Sequence, residues 1–357
     1  MTRIALIPGD GIGPEVVEVA RAALEAAAAA EGVDLAFETF HFSADHYLET
    51  GETLPDVAFE RLRDGFDAIL LGALGDPRVP GNEHARDVLL GLRFRLDLYV
   101  NLRPVRLLHP RLCPLATRPD GVERAIDIEI FRENTEGAYV GLGGNFKKGT
   151  PEEVAINEDL NTYRGVKRIL KAAFEHAVEN GRHRVTMSDK ANAMEHAGGL
   201  WRRTFEEVGA EYPDVERESL YVDMLAMDLL RRPERYRVIV TGNLFGDILT
   251  DIGAIVSGSM GLAPSGNINV DGEYPSMFEP VHGSAPDLAG SGTANLMAAV
   301  LTAALLAERT GAPAVAGRLE EAVRAALAAG ISTPDVGGAG STAEVGDWIV
   351  RRAGERS

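Results

Sequence analysis

Short apolar runs alternate with longer helical stretches along this chain, and that alternation restricts its fold more than any other feature. Arg3 to Pro8 reads as a strand, GDGIGPE (9–15) as a turn, and the Ala-rich stretch from about Pro14 to Glu31 as a helix. DAILLGA (67–73), IDIEIF (126–131), HRVTMSD (183–189) and YRVIVTG (236–242) repeat the strand signature, with helical stretches such as 161–179 and 194–208 between them. Apolar strands separated by helices predict an α/β sheet, because parallel neighbours need a helical crossover. At 357 residues the chain suits two domains or one large α/β unit. The Pro-rich segment from Pro104 to Pro119 and the Gly-rich SGSMGLAPSGN (257–267) read as two crossings between domains. Two crossings predict a discontinuous first domain, residues 1–102 plus 258–357, with 103–257 inserted as the second.

Charge narrows the partners. Acidic residues outnumber basic ones 54 to 36, a formal charge of −18, so phosphate backbones and anionic lipid surfaces would be repelled. Neither nucleic acid nor a membrane is expected as a partner. The longest apolar run, MAAVLTAALLA (297–307), is too short to span a bilayer, and MTRIALIPGDG leads into the first strand without an apolar signal region, so a cytoplasmic location is expected. Cys113 is the single cysteine; it allows no intrachain disulfide and no thiolate metal site.

In so acidic a chain, gathered arginines carry information. Arg93, Arg103 and Arg132 each sit beside apolar sequence (GLRFRLD, VNLRPVRL, EIFRENTEG), where an unpaired guanidinium is costly. Either each pairs with an internal Asp or Glu, or the three together bind a polycarboxylate, whose oxygens match the guanidinium fork. In NLFGDILTD (243–251), Asp247 and Asp251 are four apart and share one helix face. Such a pair is either a solvated face or a buried site needing a cation, and hard oxygens without His or Cys favour Mg²⁺ or Mn²⁺ over zinc. Lys190 in MSDKANAM is a candidate base if nearby cations lower its pKa, and Tyr139 a candidate proton donor; a snorkelling lysine and a packed tyrosine are the alternatives. GDGIGPE places glycines where a helix N-terminus could cradle phosphate, but its spacing is not G-x-G-x-x-G and Pro14 suits a plain tight turn. FEPVHGSAPDLAG (278–290) could hold an adenine and its ribose, with an Asp favouring a free 2′-hydroxyl.

GDGIGPE, NLRP, RENTEG, DKAN, NLFGDILTD and EPVHGSAPDLAG stand in the order and approximate spacing found in the β-decarboxylating dehydrogenases. Over nearly its whole length the chain resembles that family, which includes isopropylmalate, isocitrate, homoisocitrate, tartrate and D-malate dehydrogenases. The resemblance implies an isopropylmalate dehydrogenase-like two-domain α/β/α fold with a mixed sheet, distinct from a standard Rossmann fold. It also implies a homodimer whose active sites lie in a cleft and are shared between subunits. By the match, Arg93, Arg103 and Arg132 hold the malate carboxylates and Tyr139 supplies a proton. Asp247 and Asp251 bind Mg²⁺ or Mn²⁺ together with Asp223 of the second subunit, which also contributes Lys190 as the base and Asn192 beside the substrate. Glu279, His282, Gly283, Ser284, Ala285, Asp287 and Asn295 match cofactor-loop positions, and Asp287 favours NAD over NADP.

Leu89 and Leu90 resemble the apolar pair that receives the isopropyl group in the isopropylmalate branch, and DKANAMEHAGGLWRR is similar to that branch too. The expected reaction is oxidative decarboxylation of a 3-substituted malate, 3-isopropylmalate to 2-oxoisocaproate in leucine biosynthesis or a close 3-alkyl relative. Arg86 and Asp87, where a glutamate is usual, and Ala193, where a larger apolar residue is usual, depart from the isopropylmalate branch; RENTEG resembles the isocitrate, tartrate and D-malate branches and VNLRPVRL the D-malate and tartrate ones, while isocitrate and homoisocitrate fit the Leu pair less well. The retained Lys190, Tyr139 and aspartates count against a silent regulatory subunit of the family.

Overall fold

A computed structural model describes residues 1–118 and 120–355. Pro119, the end of the Pro-rich segment, lies outside the described residues. In chain order the elements are β1 (Thr2–Gly9), α1 (Gly13–Glu31), β2 (Leu35–Thr39), α2 (Ala44–Thr50), α3 (Asp56–Gly65), β3 (Ala68–Ala73) and α4 (Glu83–Arg95). Next come β4 (Val100–Arg106), β5 (Asp127–Glu133), β6 (Gly143–Phe146), β7 (Val154–Asn157), α5 (Tyr163–Glu179), β8 (Arg184–Asp189), α6 (Glu195–Gly209), β9 (Glu216–Tyr221), α7 (Val222–Arg231), β10 (Val238–Thr241) and α8 (Asn243–Val256). The chain ends with β11 (Pro264–Ile268), β12 (Ser276–Pro280), α9 (Met297–Arg309), α10 (Pro313–Ala328) and α11 (Thr342–Gly354).

Two compact units result, one of Met1–Leu98, Arg106–Arg124 and Ala254–Ser357, the other of Tyr99–Val105 and Ala125–Gly253. The sequence-based boundaries are drawn differently, since Arg106–Arg124 groups with the first unit. Neither stretch read as a crossing is wholly irregular. Pro104 lies inside β4, whose residues are buried from Val100 to Val105, and the Gly-rich stretch contains most of β11. Burial on both faces outweighs the missing Pro N–H and the weak strand propensity of PSGNI.

In the first unit the strands run β2-β1-β3-β12-β11. The β1–β2, β1–β3 and β3–β12 pairs are parallel, while β11 and β12 are antiparallel, so the sheet is mixed, as expected, and departs from the Rossmann order. Ile4 to Ile7 are buried without alternation, as a parallel strand covered on both faces requires. One side of the core joins Phe40, Phe59, Leu62 and Phe66 to Val88 and Leu92 of α4 and to Leu96 just beyond it. α9 is buried from Met297 to Ala307, which explains why its run is apolar all round. No described helix is long and apolar enough to cross a membrane.

In the second unit β5, β10, β8 and β9 are parallel neighbours in that order. Phe174 of α5 and Phe205 of α6 pack with ring centroids 5.5 Å apart beneath them. β6 and β7 form a separate antiparallel pair with exposed Phe146, Val154 and Ile156.

Candidate active site

The second unit gathers most of the chemistry at the C-terminal ends of its parallel strands, where an α/β sheet leaves its ligand crevice. Arg132 ends β5, Lys190 follows β8, and α8 starts just after β10. α8 lies so close to the strands that a Cβ on Gly246 would sit 2.5 Å from Arg132 Cγ, and one on Gly253 2.6 Å from Val105 Cγ2. These two glycines let the helix place its acidic face against the arginines.

Arg132, with a side chain 2 % exposed, donates from Nε (3.0 Å) and Nη2 (2.8 Å) to Asn243 Oδ1 and from Nη1 to Asp247 Oδ1. Arg103 Nε donates to Asn101 Oδ1 at 2.7 Å and Nη1 to Thr250 Oγ1 at 2.6 Å, with Asp247 Oδ1 3.5 Å away. Tyr139 Oη donates to Asp247 Oδ2 at 2.8 Å, and the Arg132 guanidinium lies 5.2 Å from its ring centroid. Burial alone would push the Asp247 carboxyl up, but the Arg132 charge, the Tyr139 hydroxyl and Arg103 outweigh it and hold it below the usual carboxylate range. Burial, then the bond to Asp247 and its charge, push the Tyr139 phenol up, so it is protonated at neutral pH. Asp251, one turn beyond Asp247, is pushed up by burial and then by the Asp247 charge, against the pull of Arg103 and Arg132.

Arg103, Arg132, Tyr139 and Asp247 thus come together, and both arginines carry internal partners as well. Lys190 Nζ donates to Asp223 Oδ1 at 2.7 Å, so its charged neighbour within the chain is a carboxylate. Lys190 also borders a small recess of about 70 Å³ walled by Trp201, Met194, Phe245 and Asn243. Asn192 and Ala193 are exposed in the turn beyond it. Among the described residues no group of three or more His, Cys, Asp or Glu side chains is gathered to hold a metal, so a single chain does not bring Asp223 to Asp247 and Asp251.

The first unit holds the remaining residues. On α4, Leu89 is half-buried against the core containing Phe59 and Val88, and Leu90 is half-buried. Arg93 Nη2 donates to Glu279 Oε1 at 2.7 Å, and Asn267 Nδ2 meets the same oxygen at 2.8 Å, while Arg93 Nε is buried without a partner. Arg86 and Asp87 are exposed and form only an adjacent ion pair at 3.4 Å. In the 278–290 loop, His282 Nδ1 lies 3.0 Å from the Gly283 carbonyl, its Nε2 is buried without a partner, and burial pushes the ring's pKa down. Ser284 is buried, Ala285 holds φ +39°, and Gly283 and Asp287 are exposed. Asn295 donates to Asp335 Oδ2 at 2.9 Å and accepts from the Met297 N–H at 3.0 Å.

Sequence reasoning missed Asn101, Asn243 and Thr250, the polar partners of the two arginines. Asn101 was within reach, being two residues before Arg103 on one strand face, and Thr250 stands one turn after Asp247. Nothing in the sequence marks Asn243 as the partner of Arg132, 111 residues away.

Arg132 and Lys190 at the strand ends of an α/β sheet, with Arg103, Tyr139 and Asp247 gathered beside them, form a constellation suited to acid–base chemistry on a small acid. The chain belongs to the isocitrate/isopropylmalate dehydrogenase family, whose model matches residues 3–349. It is 47% identical to the 3-isopropylmalate dehydrogenase of Thermobifida fusca, over 99% of this chain and 98% of that one. With that of Streptomyces griseus it shares 49%, over 98% and 97%. Among solved structures, isocitrate dehydrogenase from Methylococcus capsulatus superposes with TM-score 0.86 at 35% identity, covering 99% of this chain and 100% of that one. An apo β-decarboxylating dehydrogenase from Thermococcus kodakarensis gives 0.80 at 35% identity, covering 99% and 96%.

Proposed function

We propose that the chain oxidises and decarboxylates 3-isopropylmalate to 2-oxoisocaproate, with NAD and Mg²⁺ or Mn²⁺, as a cytoplasmic homodimer serving leucine biosynthesis. The observation that carries this reading is the full-length likeness to 3-isopropylmalate dehydrogenases at 47% and 49% identity. The convergence of Arg103, Arg132 and Tyr139 on Asp247 supports it from the geometry.

The residues fit the two cofactors. Asp247 and Asp251 offer hard oxygens one helical turn apart, and their mutual repulsion calls for a cation. The loop 278–290 leaves a buried His282 nitrogen without a partner and an exposed Asp287 suited to a ribose hydroxyl. When bound, NAD accepts the hydride and the metal ion polarises the oxygen of the reacting carbon. Arg93, Arg103 and Arg132 bind the substrate carboxylates, and Leu89 and Leu90 receive the isopropyl group. Lys190 of the second subunit takes the hydroxyl proton as the C–H hydride leaves. After the adjacent carboxylate departs as CO₂, Tyr139 gives its proton to the enolate carbon.

A shared site agrees with the surface of the second unit. Met224, Met227 and Leu230 of α7 and Leu244 and Ile248 of α8 are apolar side chains exposed in the single chain, which a second subunit would cover. Through Lys190 and Asp223 the same unit would offer a second subunit the groups that its own Asp247 and Asp251 lack.

Steady-state rates on 3-isopropylmalate, D-malate, tartrate, isocitrate and homoisocitrate test the substrate. 3-Isopropylmalate should have the highest kcat/KM, and a higher value for isocitrate or homoisocitrate would overturn the reading of Leu89 and Leu90. D-malate and tartrate are the runners-up, favoured by VNLRPVRL together with the Leu pair. EDTA should abolish turnover and Mn²⁺ restore it; activity undiminished by EDTA would refute the metal site.

A further inference from the structure

GDGIGPE opens the first helix, yet its donors face protein and not an anion. The Ile12 N–H donates to the Ser284 carbonyl and the Gly13 N–H to the Asp10 carbonyl, each at 2.9 Å. Gly11, at φ +58°, approaches so closely that a Cβ would lie 1.9 Å from the Ser284 oxygen. The turn is therefore a backbone support for the 278–290 loop.

Its buried carboxylate ties down three further segments. Asp10 Oδ1 accepts from the N–H of Ala44 at the start of α2 at 2.7 Å, and Oδ2 accepts from the Gly75 N–H at 2.8 Å. His84 Nε2, in the first turn of α4, meets Oδ2 at 2.7 Å. A carboxylate already holding two backbone donors accepts from Nε2–H as well, while Nδ1 is buried without a partner. His84 is 1% exposed, and the Tyr47 ring stacks on it at 6.0 Å and 24°. An imidazole kept buried with half its capacity unmet calls for an explanation beyond packing.

The structure assigns the Asp10–His84 pair as a positioning strut that holds α4, the helix of Leu89, Leu90 and Arg93, in register with the turn supporting the cofactor loop. The strut rests on the proposed function, since it acts on the helix assigned to the substrate side group. Its effect is on selection: a loosened α4 misplaces the leucines that meet the isopropyl group, while a smaller acid depends on them less.

The test compares His84→Leu, which removes the donor, with His84→Gln, whose amide keeps one in reach of Asp10. In folded His84→Leu, the kcat/KM ratio of 3-isopropylmalate over D-malate should fall about tenfold, mainly through KM for the larger acid, and His84→Gln should recover most of it. Equal losses of kcat on both acids with an unchanged ratio would overturn the strut, as would a Gln variant as impaired as the Leu one. If His84→Leu does not fold, His84→Asn, whose shorter amide falls short of Asp10, is read against His84→Gln in the same way. A wild type that does not prefer 3-isopropylmalate overturns the substrate reading instead; the strut is then judged by the same tenfold rise and Gln recovery in KM for its best acid.

Discussion

Arg132 and Arg93 are both buried guanidiniums at positions assigned to the substrate, yet the two units hold them differently. Arg132 spends all three of its nitrogens on Asn243 and Asp247 of one helix, and Tyr139 and Arg103 close around the same carboxylate. Arg93 donates to Glu279 and leaves its Nε buried without a partner. The second unit thus carries a side-chain network formed in advance, suited to the malate core that every relative shares. The first unit supports its site through the Ile12 to Ser284 backbone bond and through one carboxylate, Asp10, which meets Ala44, Gly75 and His84, and it leaves side-chain capacity open. A network of mutually dependent bonds tolerates little change, whereas a helix held at its first turn can change its exposed residues and its substrate.

The sharpest way to probe the second unit is to remove its base. Lys190→Ala should lower kcat by about 10²–10⁴-fold, the usual range for general acid–base catalysis, with NAD binding measured by fluorescence largely kept. Wild-type rates would refute the assignment. Next in size, Arg132→Met should lower stability by about 2 kcal/mol, because charged hydrogen bonds are lost and Asp247 keeps fewer partners. Arg93→Met should cost about half as much. Denaturant midpoints of the two variants check the contrast, and equal losses would break it.

A smaller effect is expected from Gly246→Ala. Replacing a helical glycine by alanine normally stabilises, but here the new Cβ would lie 2.5 Å from Arg132 Cγ and displace the guanidinium. A lower thermal midpoint together with a roughly tenfold lower kcat/KM is expected, and a stabilised, fully active variant would show that Arg132 is not held by this contact.

The smallest effect lies away from the site, at Asp228 of the second unit. Burial pushes its carboxyl up, but hydrogen bonds from Arg232 and Tyr236, the Arg232 charge and Arg235 outweigh this and hold it low. A carboxyl whose folded pKa lies below its unfolded value of about 3.9 stabilises above that pH and loses the contribution as pH falls through the folded value. Asp228→Asn should therefore destabilise at neutral pH, and its deficit should shrink below about pH 4. A deficit that persists at low pH would assign the effect to packing.

Local pattern made part of this legible. β1, β3, β5, β8 and β10 and the helices α1, α5 and α6 fall where apolar periodicity places them, within a few residues. β4 and β11 were hidden because Pro104 and PSGNI read as breakers, and only burial in the sheet makes them strands. The i, i+4 spacing of Asp247 and Asp251 could be read directly, since a helix sets it. The lysine's carboxylate neighbour could not, because β8 and α7 meet only after folding.

By itself the sequence determined the order of strands and helices, the family and the residue types available for acid, base and cation chemistry, all of which follow from local spacing. Tertiary structure alone decided which of those groups meet: Arg132 with Asn243 and Asp247, Arg93 with Glu279, and Asp10 with His84. Those pairs lie 111, 115, 186 and 74 residues apart, and chain-distant groups become neighbours only through burial and the close backbone approach that residues such as Gly11 and Gly246 permit.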